Sequence, residues 1–184
     1  MRETIKLILA LGLVTMISGG FLGFFYEYTM PLVEARQMAE MMEKGFKTVL
    51  PEAVSFQEVE KGQGEKPAGI EKIYEGFDEK GNSIGVAFEA MGKGFGGSMK
   101  LAVGLDVENQ KIIGVKVLNH AETPGVGDKI EEDAFLGQFQ GKSPADSFSV
   151  KEDVDGITGA TVSSAAVGTT VKKQSTQVLE YLGK

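Results

Sequence analysis

The feature that most constrains this chain is an uncharged apolar segment near its N-terminus. From Leu7 to Tyr26 there are 20 residues without an acidic or basic side chain. Because a helix rises about 1.5 Å per residue, this length crosses a hydrocarbon layer of about 30 Å. Phe24, Phe25, Tyr26 and Tyr28 lie at the C-terminal end of the segment, as is typical where a helix leaves the membrane. The segment predicts a transmembrane anchor over residues 1–28.

The charges that flank this segment predict its orientation. Arg2 and Lys6 lie on the N-terminal side of the segment, whereas Glu27 and Glu34 are the first charged residues after it. The positive-inside rule then places the N-terminus in the cytoplasm and the following domain outside the cell (inner or plasma) membrane, as in a single-pass protein. Two alternatives stay open, a cleaved signal peptide and a buried core helix. The apolar stretch is long for a signal peptide, and no small-x-small cleavage site follows it.

The composition excludes several kinds of function. A net charge of −7 argues against nucleic-acid binding, because no basic surface could neutralise phosphates. The absence of cysteine excludes disulfides, thiolate metal sites and iron–sulfur clusters. His120 is the one histidine, so a His-rich metal site is impossible and we expect no bound metal. Without a second histidine or a nucleophile motif, a hydrolytic enzyme is poorly supported and no catalytic residue is predicted.

The remaining chain predicts a connecting helix within residues 29–52 and an α+β domain over residues 53–184. Residues 32–50, between Pro31 and Pro51, carry apolar side chains at helical spacing. Four segments alternate like strands and form two hairpins with turns at 79–82 and 107–110: residues 71–78, 83–90, 98–106 and 111–120. Helices are predicted at 128–139, with Asp128 as N-cap, and at 163–183. Strands and helices that do not alternate regularly indicate an antiparallel sheet with flanking helices.

Three glycine-rich segments carry the candidate chemistry. They are residues 92–97 (GKGFGG), 122–127 (ETPGVG) and 155–164 (DGITGATVSS). The first has an ordinary explanation as a connection between strands. The second is explained by a turn, with Pro124 fixing φ and Gly125 accepting a positive φ. A functional alternative for the second segment is a rigid loop that presents backbone amides and the Thr123 hydroxyl to a planar polar ligand.

The third segment either caps the last helix or binds an anion. The first amides of a helix have no intrahelical partner, and its dipole is positive there, so a phosphate is favoured. Gly159 and Ala160 are small enough to let an anion approach the backbone, and the Thr161 hydroxyl is next to that position. Ser163 and Ser164 can cap the helix or bond the anion. A phosphate there is either bound or esterified to the hydroxyl, and the residues alone leave these options open.

The order of these segments resembles a family of flavoproteins. Residues 155–161, DGITGAT, resemble the D-x-x-[S/T]-G-A-T signature of proteins that carry FMN esterified to threonine. Residues 122–127 resemble the ETPGLG-type loop of the same family. The resemblance extends over the whole chain. The chain is similar to the G subunit of Rnf-type ion-translocating electron-transport complexes. The C subunit of sodium-translocating NADH:quinone reductase is a relative on the same plan, usually longer.

The resemblance implies roles for individual residues. Thr161 would carry FMN through a phosphoester, attached by a flavin transferase with FAD as donor. Asp155, Thr158 and Gly159 would form the recognition loop for that enzyme and the surroundings of the phosphate. The segment Glu122, Thr123, Pro124, Gly125 and Val126 would lie against the isoalloxazine. Val126 departs from the family, which often has leucine there, and Phe95 lies where relatives often carry a larger aromatic side chain.

The function implied is that of an electron relay without a substrate pocket of its own. It would serve a membrane complex that couples ferredoxin:NAD⁺ electron transfer to transport of Na⁺ or H⁺, together with the other membrane and peripheral subunits. The alternatives are a membrane-anchored extracytoplasmic FMN-binding sensor or binding module, the C subunit of a sodium-translocating NADH:quinone reductase, and a structural assembly protein.

Overall fold

The chain begins with one long helix, α1, over Arg2–Glu40. The computed structural model describes residues 2–60, 62, 67–70 and 72–184, and leaves out the side chains of residues 34, 35, 37–40 and 43. Residues Arg2–Val33 are long and apolar enough to cross a membrane. Pro31 lies inside α1, so the helix continues beyond the apolar segment without a break at this residue. One proline removes a single helical hydrogen bond, which spanning helices tolerate.

The chain divides into two compact units, Met1–Glu40 and Met41–Lys184. The second unit opens with a π-helical turn over Met41–Phe46 and a short helix, α2, over Lys47–Val49. The chain then turns at Pro51, as predicted. The predicted borders at residues 28 and 52 stay predictions.

A five-stranded antiparallel sheet with the order β1-β2-β3-β4-β5 forms the centre of this unit. Its strands are β1 Ser55–Glu58, β2 Ile73–Phe77, β3 Ser83–Lys93, β4 Ser98–Asp106 and β5 Lys111–His120. The last four confirm the predicted strands, although residue 71 is outside the described residues. Both predicted hairpin turns are present, and in each an aspartate carboxylate, Asp78 or Asp106, accepts two backbone amides. β1 was not predicted.

One face of the sheet is covered by the segment that enters the second unit. Phe46, Val49 and Leu50 are almost fully buried there, and the Phe46 ring lies 5.3 Å from that of Tyr74. Gly104 and Gly114 are opposite each other on β4 and β5, and Val49 passes directly over this pair. The absence of side chains at these two positions lets the backbone approach the sheet.

The other face packs against the last helix, α4, over Thr161–Tyr181. Val167, Val171 and Val178 are fully buried in the cluster that holds Phe88 and Leu101 of the sheet. This confirms the apolar face predicted for the C-terminal helix. The helix begins and ends two residues before the predicted bounds of 163 and 183.

The predicted single helix over residues 128–139 is wrong. The segment is a 3₁₀ turn over Gly127–Glu131, a short helix α3 over Asp133–Leu136 and a second 3₁₀ turn over Gly137–Phe139. Glu132 is extended, with ψ of 134°, and interrupts the helical path. Asp128 is not an N-cap, because its Oδ2 accepts the Gly125 amide at 2.8 Å and closes the preceding loop instead.

Candidate functional site

The three glycine-rich segments of the sequence meet at one cleft of about 320 Å³. This volume lies at the lower end of the range typical of small-molecule sites, about 300–1,000 Å³. The cleft is lined by Phe95, Glu122, Thr123, Val126, Gly127, Gly159, Ala160, Thr161, Val162 and Ser163. The residues come from the β3–β4 connection, the loop after β5 and the start of α4.

The β3–β4 connection is a tight turn. The Gly94 amide donates to the Gly97 carbonyl at 2.8 Å, and Gly97 has φ of 150°. A Cβ at Gly96 would collide with the Ala121 carbonyl, so this loop is held directly against the segment after β5. Phe95, at the tip, is 74% exposed and offers an apolar ring at the rim of the cleft.

The loop after β5 is the rigid Pro-Gly turn that the sequence predicts. The Thr123 carbonyl accepts the Val126 amide at 3.3 Å and the Gly127 amide at 2.8 Å. Gly125 has φ of 77°, the conformation that the third position of a type II turn requires. The Thr123 and Val126 side chains are exposed and line the cleft, whereas Gly125 does not.

The signature segment ends where α4 begins, at Thr161. Gly159 is left-handed, with φ of 84°, which turns the chain into the helix. In the part of the chain that the structure describes, no backbone carbonyl accepts the amides of Thr161, Val162 or Ser163; the Ser164 amide donates to Ala160. The first turn of α4 contains no acidic residue. These amides and the helix dipole therefore favour an anion beside the exposed Thr161 hydroxyl.

Glu122 connects these elements from below the surface of the cleft. Its side chain is 6% exposed, and its Oε2 accepts the Ser163 hydroxyl at 2.7 Å and the Gly96 amide at 3.2 Å. Its own backbone amide donates to His120 Nδ1 at 3.1 Å, and His120 Nε2 lies 3.1 Å from Glu131 Oε1. His120 thus supports the loop and does not line the cleft.

The predicted site residues fall into two groups. Seven line the cleft: Glu122, Thr123, Val126, Gly159, Ala160, Thr161 and Ser163. Asp155, Thr158 and Gly125 are exposed in the same loops but outside the lining. The backbone of Asp155 is held by the Gln138 side chain, at 2.7 and 3.2 Å. Gly127 and Val162 line the cleft without having been predicted as ligands.

The fold and the cleft define the class of protein. Residues 94–174 match the family described as "FMN-binding domain", and this range contains the whole lining of the cleft. The fold is also similar to the crystal structure of Shewanella oneidensis NqrC, with a TM-score of 0.51 and 23% identity over 72% of this chain and 73% of that one. The second unit therefore contains a match to the FMN-binding domain family over residues 94–174, and its fold is similar to that of NqrC.

Full-length relatives narrow this class. The G subunit of the ion-translocating oxidoreductase complex of Methanosarcina acetivorans is 31% identical over 90% of this chain and 89% of its own length. The G subunit of the proton-translocating ferredoxin:NAD(+) oxidoreductase complex of Clostridium ljungdahlii is 31% identical over 94% of this chain and 90% of its own. This chain belongs to the G-subunit family of ion-translocating oxidoreductase complexes.

Proposed function

We propose that this chain is an electron-transfer subunit that carries FMN covalently, through a phosphoester to Thr161. The complex it serves couples ferredoxin:NAD⁺ electron transfer to transport of Na⁺ or H⁺. The observation that supports the linkage is the position of Thr161, an exposed residue that lines the cleft as the first residue of a 21-residue helix.

The residues of the cleft fit a tethered flavin phosphate. The amides of Val162 and Ser163 have no backbone acceptor in the described part of the chain and are available to a phosphate. Gly159 and Ala160 add little bulk beside them. Phe95, Thr123 and Val126 give the opposite side an apolar rim with one hydroxyl, which suits a planar ring with polar edges. When bound, FMN supplies one- and two-electron chemistry, and the chain orients the cofactor and sets the local charge.

The chain is also proposed to sit with α1 in the cell membrane, its N-terminus in the cytoplasm and the FMN-binding domain outside. Arg2 and Lys6 at the start of α1 support this orientation. Covalent attachment fits this location, since a tethered cofactor has no dissociation equilibrium. Its partners are the other subunits of the complex and, during maturation, a flavin transferase that recognises the exposed segment of Asp155, Thr158 and Gly159.

The linkage is tested by co-producing the full-length protein with a flavin transferase. After denaturation, we expect flavin fluorescence on the protein band and an FMN-sized mass increase on the peptide that contains Thr161. Thr161→Ala should lose both signals, while Thr161→Ser keeps a hydroxyl at this position and should keep part of the signal. Thr169→Ala, which removes an exposed hydroxyl farther along α4 and outside the cleft, is the matched control for covalent acceptance.

Fluorescence that survives Thr161→Ala would remove this residue as the acceptor. If the wild-type chain takes up no covalent flavin with any transferase, the proposed linkage is wrong as a whole.

A further inference from the structure

The Glu122 carboxylate joins two loops and a helix that line the cleft. Its Oε2 accepts the Gly96 amide from the β3–β4 connection and the Ser163 hydroxyl from the first turn of α4. Ser163 is 2% exposed, so this bond lies beneath the surface on which Thr161 is exposed. A bond to a charged acceptor is stronger than one between neutral groups, and this one fixes the start of α4 relative to the glycine loop.

The space around this carboxylate is shaped by glycine. A Cβ at Gly94 would collide with Glu122 Oε1, and one at Gly127 would lie 2.9 Å from Glu122 Cβ. Gly94 and Gly127 belong to two different segments of the chain, and both leave room for the same side chain. The glycines of these segments are therefore required by the buried carboxylate as well as by the turns they form.

The carboxylate is also a buried charge without a full set of partners. In the described part of the chain, Glu122 Oε1 has no hydrogen-bond donor, and no ion pair involves Glu122. An incompletely bonded carboxylate is costly to bury. The carboxylate lies beside the cleft. A fixed negative charge at short range disfavours the addition of an electron to a neighbouring group.

We infer that Glu122 is a positioning residue with two effects on the flavin. Through Ser163 it places Thr161 for attachment, and through its charge it lowers the reduction potential of the flavin held in the cleft. This inference rests on the proposed function. A side chain that is 6% exposed acts through the groups it holds and through its charge, whereas the family resemblance implies direct contact of Glu122 with the isoalloxazine.

Two variants separate these effects. Ser163→Ala removes the bond to α4 and keeps the charge, and alanine fits the buried position. Glu122→Gln removes the charge, while its amide oxygen can still accept both bonds. Glu108→Gln removes one charge from the exposed β4–β5 turn, at the opposite end of β4 from the cleft, and is the matched control.

Each full-length variant is co-produced with a flavin transferase, and both the initial rate of attachment and the midpoint potential of the bound flavin are measured. We expect Ser163→Ala to attach flavin about ten-fold more slowly, as a misplaced acceptor reacts more slowly. Glu122→Gln should shift the midpoint potential to more positive values, and Glu108→Gln should leave both quantities unchanged. A wild-type rate for Ser163→Ala or a wild-type potential for Glu122→Gln would overturn the corresponding effect.

A Ser163→Ala protein that folds but takes up no flavin is tested as the apoprotein by NMR. Displacement of the Thr161 and Val162 amide resonances from their wild-type positions would support the positioning effect, and unchanged resonances would overturn it. Failure of the proposed function looks different, because the wild-type chain itself would then carry no covalent flavin.

Discussion

The hydroxyl of Ser164 accepts the backbone amide of Ile157 at 3.0 Å. The same hydroxyl donates to the Ala160 carbonyl at 2.9 Å and is fully buried. It therefore closes the segment before α4 onto the first turn of that helix. Thr161 is exposed at the cleft because Ser164, on the inner side of the turn, holds the loop that precedes it.

Removing this hydroxyl should destabilise the domain. In Ser164→Ala the part-buried Ile157 amide loses its acceptor, which costs about 1 kcal/mol of the free energy of unfolding. Chemical unfolding of the second unit checks the value. Thr169→Ala, at an exposed position of the same helix, is the control and should change stability far less. Equal effects of the two substitutions would contradict the structural role of Ser164.

A second prediction concerns the glycine pair under Val49. In Gly104→Ala the new Cβ would collide with the Val49 carbonyl, so the chain that covers the sheet has to move. We expect a loss of about 1–3 kcal/mol, as for other overpacked cores. Gly137→Ala is the control, because a Cβ there has open space and φ is −61°. If both variants unfold at the same denaturant concentration, the close approach of Val49 is not required.

The parts of the fold that could be predicted are those whose patterns are strong within a few residues. Apolar and polar residues alternate clearly along β3 to β5, and Asp78 and Asp106 stand at the turns that precede β3 and β5. These patterns are enough to predict the order of these strands in the sheet. β1 could not be found, since its four residues are largely exposed and carry no alternation. The break at Glu132 was also hidden, because no helix-breaking residue marks it in the sequence.

The candidate site was predictable in composition but not in geometry. The sequence singled out the loops that contain Thr123 and Thr161, and the structure brings them to one cleft. The bond between Glu122 and Ser163 joins residues 41 positions apart, which no local pattern reveals. The exposure of Thr158 and Asp155 outside the cleft was hidden for the same reason, because the direction of a side chain in a loop follows from tertiary contacts.

The exposed ring of Phe95 yields a third prediction, which rests on the proposed function. In the flavin-loaded protein, Phe95→Ala should increase flavin fluorescence and its quenching by added iodide, because the rim of the cleft becomes more open to water. Met91→Ala changes an exposed apolar side chain on the strand that leads into this connection but outside the lining, and serves as the control. Fluorescence and quenching equal to wild type in Phe95→Ala would show that the ring does not cover the cofactor.

A fourth prediction follows from the β4–β5 turn. Burial raises the pKa of Asp106, but bonds from the Asn109 side chain and from the Asn109 and Glu108 amides outweigh it, so the pKa lies below its ordinary value. A carboxylate with a depressed folded pKa stabilises the protein above its unfolded pKa and loses this effect as the pH falls through the folded pKa. Asp106→Asn should therefore be less stable than wild type at neutral pH, and the difference should shrink below about pH 4.

Unfolding free energies measured between pH 7 and pH 3 check this dependence. Glu108→Gln removes a neighbouring charge whose side chain is exposed, and its difference from wild type should change little over the same range. A difference for Asp106→Asn that is independent of pH would show that the turn depends on shape and not on the carboxylate charge.

The last prediction concerns the proposed orientation, and the absence of cysteine from the chain makes it easy to test. A single cysteine at Glu108→Cys, in an exposed turn of the second unit, should react with a membrane-impermeant maleimide added to intact cells (for a cell with an outer membrane, spheroplasts). A cysteine at Glu3→Cys, at the start of α1, should react only after the membrane is permeabilised, because the positive charges of Arg2 and Lys6 favour the cytoplasmic side for this end. The reverse labelling pattern would place the FMN-binding domain in the cytoplasm, where no tether is needed to keep the cofactor inside the cell.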